Sequence, residues 1–208
     1  MEKKYVSLTF DDGPNFPGDN TMERMLDLLE KNGVVASFFL IGNKITDENI
    51  PLIKRAFKMG CDIQNHSWTH QDMTKMTAEE IAEEYKKTDD KIIEITGVRP
   101  TFFRPPYISV NQTMRDTIPT PFICGQGCED WGPTVLAEER IRQCKEYTRD
   151  GILYLLHVNE QNVETYKTVE ALIPWLKEQG YEFVTVEKMF QLKNVTKRKI
   201  NDNWSYVE

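Results

Sequence analysis

Short apolar segments alternate with longer amphipathic segments along most of this 208-residue chain. Residues 34–41 are almost continuously apolar, which is typical of a strand buried on both faces of a sheet. Residues 77–97 open with the residue types of a capping box and carry apolar side chains at helical spacing. Because strands that alternate with helices pair in parallel, the pattern predicts an α/β fold, as a barrel or a doubly wound sheet.

The limits of these segments follow from glycine stops and from changes in the hydrophobic period. The chain has no linker, internal repeat or low-complexity segment. We therefore predict one domain over residues 1–192, with the polar tail 193–208 either part of it or loosely packed. The predicted strands are 5–10, 34–41, 61–64, 101–103, 121–124, 152–156 and 182–186, and the predicted helices are 22–31, 48–59, 77–97, 137–148 and 165–179.

Composition restricts the class of partner. The net charge is -7, and the main basic cluster is residues 197–199. This balance argues against a nucleic-acid or anionic-membrane partner, because the overall field repels both, and it is compatible with a neutral sugar chain. No apolar run reaches the ~20 residues that a membrane span needs. Without a signal segment we expect a cytoplasmic protein, secreted only if a signal has been removed.

The four cysteines carry a weaker signal. The spacing between Cys124 and Cys128 permits a metal or disulfide interpretation. Scattered thiols more often behave as small buried hydrophobes in a reduced compartment. We therefore expect free thiols at Cys61, Cys124, Cys128 and Cys144.

The residues able to carry chemistry follow the predicted strands. Enzymes with parallel barrels gather catalytic groups at the carboxyl ends of their strands, so this shared placement predicts one site. The candidates in chain order are Asp11, Asp12, His66, His70, Arg104, Asp130 and His157.

A metal site is predicted at His66 and His70, which are four residues apart and can share one face of a helical turn. Asp12 supplies an oxygen ligand, and a set of two histidines and one carboxylate leaves positions open for water and substrate. A bound ion lowers the pKa of its water towards ~7. The alternatives are a helix surface that carries two histidines, and an aspartate pair that forms a turn or caps a helix.

The remaining polar residues suggest acid–base roles. Asp11 is available as a base, held by Arg104, although Arg104 could equally form a weak surface salt bridge. Asp130 can hydrogen-bond His157 and favour its charged form, which makes His157 a general acid. The alternatives are a histidine satisfied within the core, and a Trp131 that is plain core.

These residues together carry a family resemblance. The chain resembles the NodB-homology polysaccharide deacetylases, carbohydrate esterase family 4. The matching motifs are TFDDGP at 9–14, HSWTH at 66–70, RPPY at 104–107, DW at 130–131 and LLH at 155–157.

The resemblance implies a distorted seven-stranded (β/α) barrel of the NodB-homology type and a divalent ion, usually zinc or cobalt. It implies that Asp11 is the base, oriented by Arg104, and that His157 protonates the leaving group with Asp130 behind it. The implied metal ligands are Asp12, His66 and His70. The implied substrate contacts are the backbone N–H of Tyr107 and an acetyl pocket walled by Trp131 and Leu155.

Three departures from the family pattern concern substrate choice. Gly127, Val158 and Ile108 stand where aspartate, aspartate and glycine are frequent, and we expect them where substrate approaches. Residues 104–130 and 180–185 look closer to acetylxylan-esterase-like members.

The activity implied by the resemblance is metal-dependent removal of N-acetyl groups from N-acetylglucosamine-containing saccharides. The alternative is an acetylxylan esterase that removes O-acetyl groups from xylo-oligosaccharides. A non-catalytic carbohydrate-binding relic is a weaker alternative, and the acidic chain argues against a phosphohydrolase or nuclease. The expected partner is an acetylated carbohydrate, bound by a monomer or weak homo-oligomer.

Overall fold

A parallel sheet organises the part of the chain that the computed structural model describes, residues 3–195 and 203–208. The strands are β1 (Lys4–Gly13), β2 (Ser37–Leu40), β3 (Asp62–Asn65), β4 (Phe122–Ile123), β5 (Gln126–Gly127), β6 (Ile152–His157), β7 (Tyr181–Phe183) and β8 (Asn203–Trp204). The helices are α1 (Thr21–Asn32), α2 (Ile50–Lys58), α3 (Ala78–Thr96), α4 (Gln112–Thr117), α5 (Ala137–Tyr147), α6 (Val163–Glu178) and α7 (Val186–Leu192). None of these helices is both long and apolar enough to cross a membrane.

The central sheet has the strand order β3-β2-β1-β6-β5, and β7 pairs with the opening residues of β1. All of its pairs are parallel. β1 lies in the middle, and its side chains Val6, Leu8 and Phe10 are fully buried, as expected for a strand covered on both faces. The register of β1 against β6 sets Asp11 opposite His157, so the sheet itself brings two of the predicted site residues together.

The predicted strand 101–103 is not a regular strand. Only Phe103 forms bridges, one towards β3 and one towards β4. The backbone N–H groups of Thr101 and Phe102 donate to the side-chain oxygen of Gln64, at 2.9 and 3.0 Å, and are not available to a neighbouring strand. The parallel α/β class is confirmed, whereas closure into a seven-stranded barrel stays a prediction.

The last predicted strand, 182–186, also ends earlier than predicted. β7 ends at Phe183, and Val186 begins α7. The hydroxyl of Thr185 accepts a hydrogen bond from the backbone N–H of Lys188 at 3.3 Å, which caps the new helix. The sequence did not predict α4, β5 or β8, because elements of two to six residues carry too little periodicity.

Residues 203–208 pack against the sheet. β8 pairs with β4, and the side chain of Val207 is fully buried. The backbone N–H of Val207 donates to the carbonyl of Gly151 at 2.9 Å. Residues 196–202 of the predicted tail lie outside the described residues.

Replacing Gly151 with alanine is expected to destabilise the fold by about 3 kcal/mol. Gly151 has φ +83, and a Cβ there would lie 2.0 Å from the carbonyl oxygen of Val207, so the C-terminal segment must move. Gly180→Ala is the matched control, because Gly180 has φ +79 with open space around it, and its expected cost is about 1 kcal/mol. Chemical denaturation measures both values. Equal losses would contradict the packing of residues 203–208.

Candidate active site

Three strands deliver polar side chains to one end of the sheet. β1 is longer than predicted, so Asp11 and Asp12 lie within its last residues, and the register shift there leaves Asp12 in a bulge with φ 71. His66 follows β3 directly, and His157 is the last residue of β6. The four side chains line one cavity of about 680 Å³.

Asp12, His66 and His70 bring three ligand atoms within 4.8 Å of one another. Asp12 Oδ1 lies 3.6 Å from His66 Nε2 and 3.4 Å from His70 Nε2. Ligand atoms about 2.1 Å from a tetrahedral zinc ion are roughly 3.4 Å apart, so this set fits one ion. Asp12 Oδ1 is also buried without a hydrogen-bond partner among the described residues, and a coordinated ion would satisfy it.

The surroundings of the two histidines favour the neutral form of each imidazole. His66 Nδ1 lies 2.7 Å from the carbonyl oxygen of Arg104, so Nδ1 carries the hydrogen and Nε2 presents a lone pair. Burial lowers the pKa of His66 to about 3, against the opposing charge of Asp12. Burial also lowers the pKa of His70. Because a metal binds only neutral imidazole, both shifts favour coordination at neutral pH.

The segment that carries the two histidines is not the helical turn that the sequence suggested. Ser67 and His70 have φ 67 and φ 60, in the left-handed region. Side chains hold this shape: Asn65 Oδ1 accepts the N–H of Ser67 at 2.8 Å, and the Ser67 hydroxyl accepts the N–H of His70 at 3.0 Å. The loop therefore aims both rings at Asp12 without a helix.

Asp11 and Arg104 form a buried ion pair rather than a surface salt bridge. Arg104 Nη1 donates to Asp11 Oδ1 at 2.6 Å, and the guanidinium lies 4.1 Å from the ring centre of Phe39. Neither charged side chain is more than 2% exposed. Burial raises the pKa of Asp11, and the neighbouring Arg104 charge opposes the rise. The pair thus holds a carboxylate in a fixed place beside the candidate metal ligands.

His157 and Asp130 form a second pair across the cavity. Asp130 Oδ1 lies 2.7 Å from His157 Nδ1, and Asp130 Oδ2 accepts the His157 backbone N–H at 2.6 Å. The hydroxyl of Thr165 donates to the same Oδ2 at 2.9 Å. Burial lowers the pKa of His157, but the charge and hydrogen bond of Asp130 outweigh it and raise that pKa to about 9.

The three residues expected to contact substrate all line the cavity. Tyr107 is 67% exposed with φ 58, and its ring centre lies 4.8 Å from that of His70. Trp131 is 61% exposed, so it is not a core residue, and its ring centre lies 6.4 Å from that of His157. Leu155 is buried behind them. Aromatic and aliphatic surfaces therefore border the polar groups.

One wall of the cavity was not predicted. It includes Gln143 and Tyr147, which lie one helical turn apart on α5. α5 is anchored by the buried Arg140, whose Nη1 donates to Asn162 Oδ1 at 2.9 Å and to Thr165 Oγ1 at 2.8 Å. No local motif marks these residues, because their place depends on how α5 docks on α6.

The three departures from the family pattern do not share one place. Gly127 and Ile108 line the cavity, as expected. Val158 does not, because its side chain is fully buried in the main hydrophobic core. A Cβ added at Gly13 would meet Val158 at 3.4 Å, which shows how closely Val158 packs behind β1. Of these three residues, only Gly127 and Ile108 are therefore placed to contact a molecule bound in the cavity.

The four cysteines are free thiols. Cys61, Cys128 and Cys144 are buried, and Cys124 lines the cavity. Burial raises the pKa of the Cys61 thiol to about 11, so it stays protonated at neutral pH. Nothing in this arrangement brings a thiol into the metal-ligand set.

Comparison with known proteins places the chain in a family. Residues 1–119 match the polysaccharide deacetylase family. A bifunctional xylanase/deacetylase of Pseudobutyrivibrio xylanivorans is 41% identical over 208 residues, which is 100% of this chain and 34% of that protein. The chain belongs to the polysaccharide deacetylase family, as its five motifs predict.

Two further similarities bear on substrate and metal. The chain is similar to a family 4 acetyl xylan esterase of Clostridium thermocellum solved with a cobalt ion, with 34% identity, a TM-score of 0.92, and coverage of 98% of this chain and 99% of that one. A peptidoglycan-N-acetylglucosamine deacetylase of Listeria monocytogenes is 32% identical over 195 residues, 90% of this chain and 39% of that protein. The chain therefore spans little more than a third of the length of these two curated relatives.

Proposed function

We propose that the protein is a metal-dependent carbohydrate deacetylase that hydrolyses O-acetyl esters on xylan-type chains. The observation that carries the proposal is the meeting of two arrangements in one cavity: three ligand atoms spaced for one ion, and the buried Asp11–Arg104 pair. Family membership supports an acetylated carbohydrate as substrate. Similarity to a xylanase/deacetylase and to an acetyl xylan esterase supports the ester bond.

The metal and the base have separate tasks. Asp12, His66 and His70 would hold a zinc or cobalt ion, which would supply Lewis acidity for activating water and polarising the acyl carbonyl. Asp11 is the general base: Arg104 holds its Oδ1, and its Oδ2 faces the same space, 3.5 Å from His66 Nε2. Asp11 therefore accepts the proton of the attacking water.

The opposite side of the cavity serves the leaving group. Asp130 keeps the imidazole of His157 charged, and His157 donates its proton to the departing sugar oxygen, which leaves as an alcohol. The backbone N–H of Tyr107 donates to the oxyanion. Trp131 and Leu155 contact the acetyl methyl group.

Asp130→Asn is expected to move the alkaline limb of the pH–activity profile. In the parent, kcat/KM should fall as pH rises through about 9, because His157 then loses its proton. Without the Asp130 charge, only the charges of Asp11 and Asp12 still oppose the effect of burial on His157, and the alkaline limb should move to lower pH. The raised pKa of His157 also means that its protonation stabilises the folded state. This contribution to stability is complete below pH 6.5 and is lost as the pH rises through about 9.

The pH–rate profile of Glu129→Gln is the control. Glu129 lines the same cavity next to Asp130 in sequence, and it makes no hydrogen bond to His157. Glu129→Gln removes one negative charge, as Asp130→Asn does, but the alkaline limb should stay near pH 9. A limb that moves as far in Glu129→Gln as in Asp130→Asn would count against the assignment of the general acid.

A second candidate bond is the amide of N-acetylglucosamine units, favoured by the similarity to a peptidoglycan-N-acetylglucosamine deacetylase. The same residues would serve hydrolysis of either bond, so the two activities must be distinguished by comparing rates on the two classes of substrate. We expect zinc- or cobalt-loaded protein to release acetate from acetylated xylo-oligosaccharides with a higher kcat/KM than from chitooligosaccharides. The Asp11→Asn variant corrects for spontaneous ester hydrolysis. Acetate released from chitooligosaccharides alone would assign the amide instead.

A further inference from the structure

A carboxylate outside the family motifs binds the loop between the two metal-ligating histidines. Glu84 Oε2 accepts the backbone N–H groups of Trp68 and Thr69, at 3.0 and 2.8 Å. Its second oxygen, Oε1, accepts the hydroxyl of Thr69 at 2.9 Å. One side chain of α3 therefore makes three hydrogen bonds to two of the three residues between His66 and His70.

The loop needs such support because its backbone is not part of a regular element. Ser67 and His70 are in the left-handed region, which costs about 1–3 kcal/mol for a residue that is not glycine. The carbonyls of Ser67 and Trp68 accept N–H groups of Gly42 and Asn43, at 2.9 and 3.0 Å. The N–H groups on the other side have Glu84 as their acceptor, so the loop is held from two directions.

α3 is itself fixed against the strand that precedes the loop. Asn65 Nδ2, at the end of β3, donates to Asp89 Oδ1 at 2.9 Å and to the carbonyl of Tyr85 at 2.8 Å. Ile81 and Ile92 of the same helix are fully buried. Glu84 therefore projects from a helix whose position is fixed relative to β3. Its hydrogen bonds fix the loop relative to the same strand.

We propose that Glu84 is a positioning residue of the metal site. Its three hydrogen bonds set the path of the His66–His70 loop, and this path places both Nε2 atoms 3.4 to 3.6 Å from Asp12 Oδ1. The inference rests on the proposed metal-dependent function. Glu84 is not one of the three candidate metal ligands, and it acts by reducing the reorganisation that coordination requires.

Two conservative variants separate the hydrogen-bond geometry from the charge. Glu84→Asp keeps the charge but shortens the side chain by one methylene, so the carboxylate no longer reaches all three donors. Glu84→Gln removes the charge but keeps the length: its amide oxygen can accept both backbone N–H groups, and its NH₂ can donate to the Thr69 hydroxyl. Both variants should fold, because Glu84 is only partly buried.

Glu83→Asp is the matched control. Glu83 lies on the same helix, is exposed, and pairs with Lys87 at 2.6 Å instead of with the loop. The Glu83→Asp variant measures how aspartate in α3 changes zinc affinity when the hydrogen bonds to the His66–His70 loop are intact. The measurement is the dissociation constant of zinc for metal-stripped protein, by competition with a chromophoric chelator.

We expect Glu84→Asp to weaken zinc binding by about 10- to 100-fold, with Glu84→Gln and Glu83→Asp close to the parent. Parent-like affinity in Glu84→Asp would overturn the inference, and so would a Glu84→Gln variant as weak as Glu84→Asp, since the charge would then be responsible. A parent protein that binds no zinc would overturn the proposed function together with the inference. A parent that binds zinc while Glu84→Asp binds equally well overturns the inference alone.

Discussion

Replacing Asp12 with asparagine is expected to weaken zinc binding by more than ~100-fold, beyond the effect of losing a supporting residue. Acetate release should fall with it. Asparagine keeps the shape of the side chain and tolerates the left-handed backbone at this position, where φ is 71. What it removes is the charged oxygen ligand between the two histidines, which a zinc site of this kind requires.

The same substitution should leave the metal-free protein as stable as the parent. Asp12 Oδ1 is buried and has no hydrogen-bond partner among the described residues, so the change breaks no internal bond there. Asp47→Asn, at an exposed position, is the control for the substitution itself. Zinc titration and denaturation of the metal-free proteins measure the two effects. Parent-like zinc affinity in Asp12→Asn would exclude this residue as a ligand.

Asp11→Asn is expected to lower kcat by about 10²- to 10⁴-fold while the zinc affinity stays near that of the parent. The asparagine is nearly isosteric and can still accept from Arg104, but it is a poor proton acceptor. The variant should also be less stable by about 3 kcal/mol, because Arg104 is fully buried and loses its opposite charge. Single-turnover rates at a temperature where the variant is folded separate the two losses.

Loss of zinc binding in Asp11→Asn would contradict this division of tasks, because Asp11 would then belong to the metal-ligand set. Near-parent kcat in a folded, zinc-loaded variant would contradict its role as base. The neighbouring aspartates thus have distinct expected signatures: Asp12→Asn loses the ion and keeps its stability, whereas Asp11→Asn keeps the ion and loses stability and rate.

The features predictable from the sequence are those set by local pattern. The buried run of β6 and the capping box of α3, present at Thr77 and Glu80, follow from residue type and spacing. The shared location of the site residues follows from a further rule: the carboxyl ends of parallel strands lie at one edge of the sheet. The sheet register then brings Asp11 opposite His157, as such an edge requires.

The features that sequence reasoning missed depend on contacts distant in the chain. Residues 101–103 have strand-like composition, but their N–H groups bond the side chain of Gln64. The histidine spacing suggests a helix, but Glu84, on a different element, bonds the loop in another shape. Val158 follows a site histidine and still belongs to the core. In each case a side chain far away in sequence or behind the sheet decides the outcome.

The most direct test of metal-dependent deacetylation is acetate release from acetylated xylo-oligosaccharides by metal-stripped protein titrated with zinc or cobalt. We predict that the stripped protein is inactive and that activity rises linearly until one ion is bound per chain, with no such recovery in Asp12→Asn. Full activity of the stripped protein, or recovery that does not depend on Asp12, would contradict the proposed function.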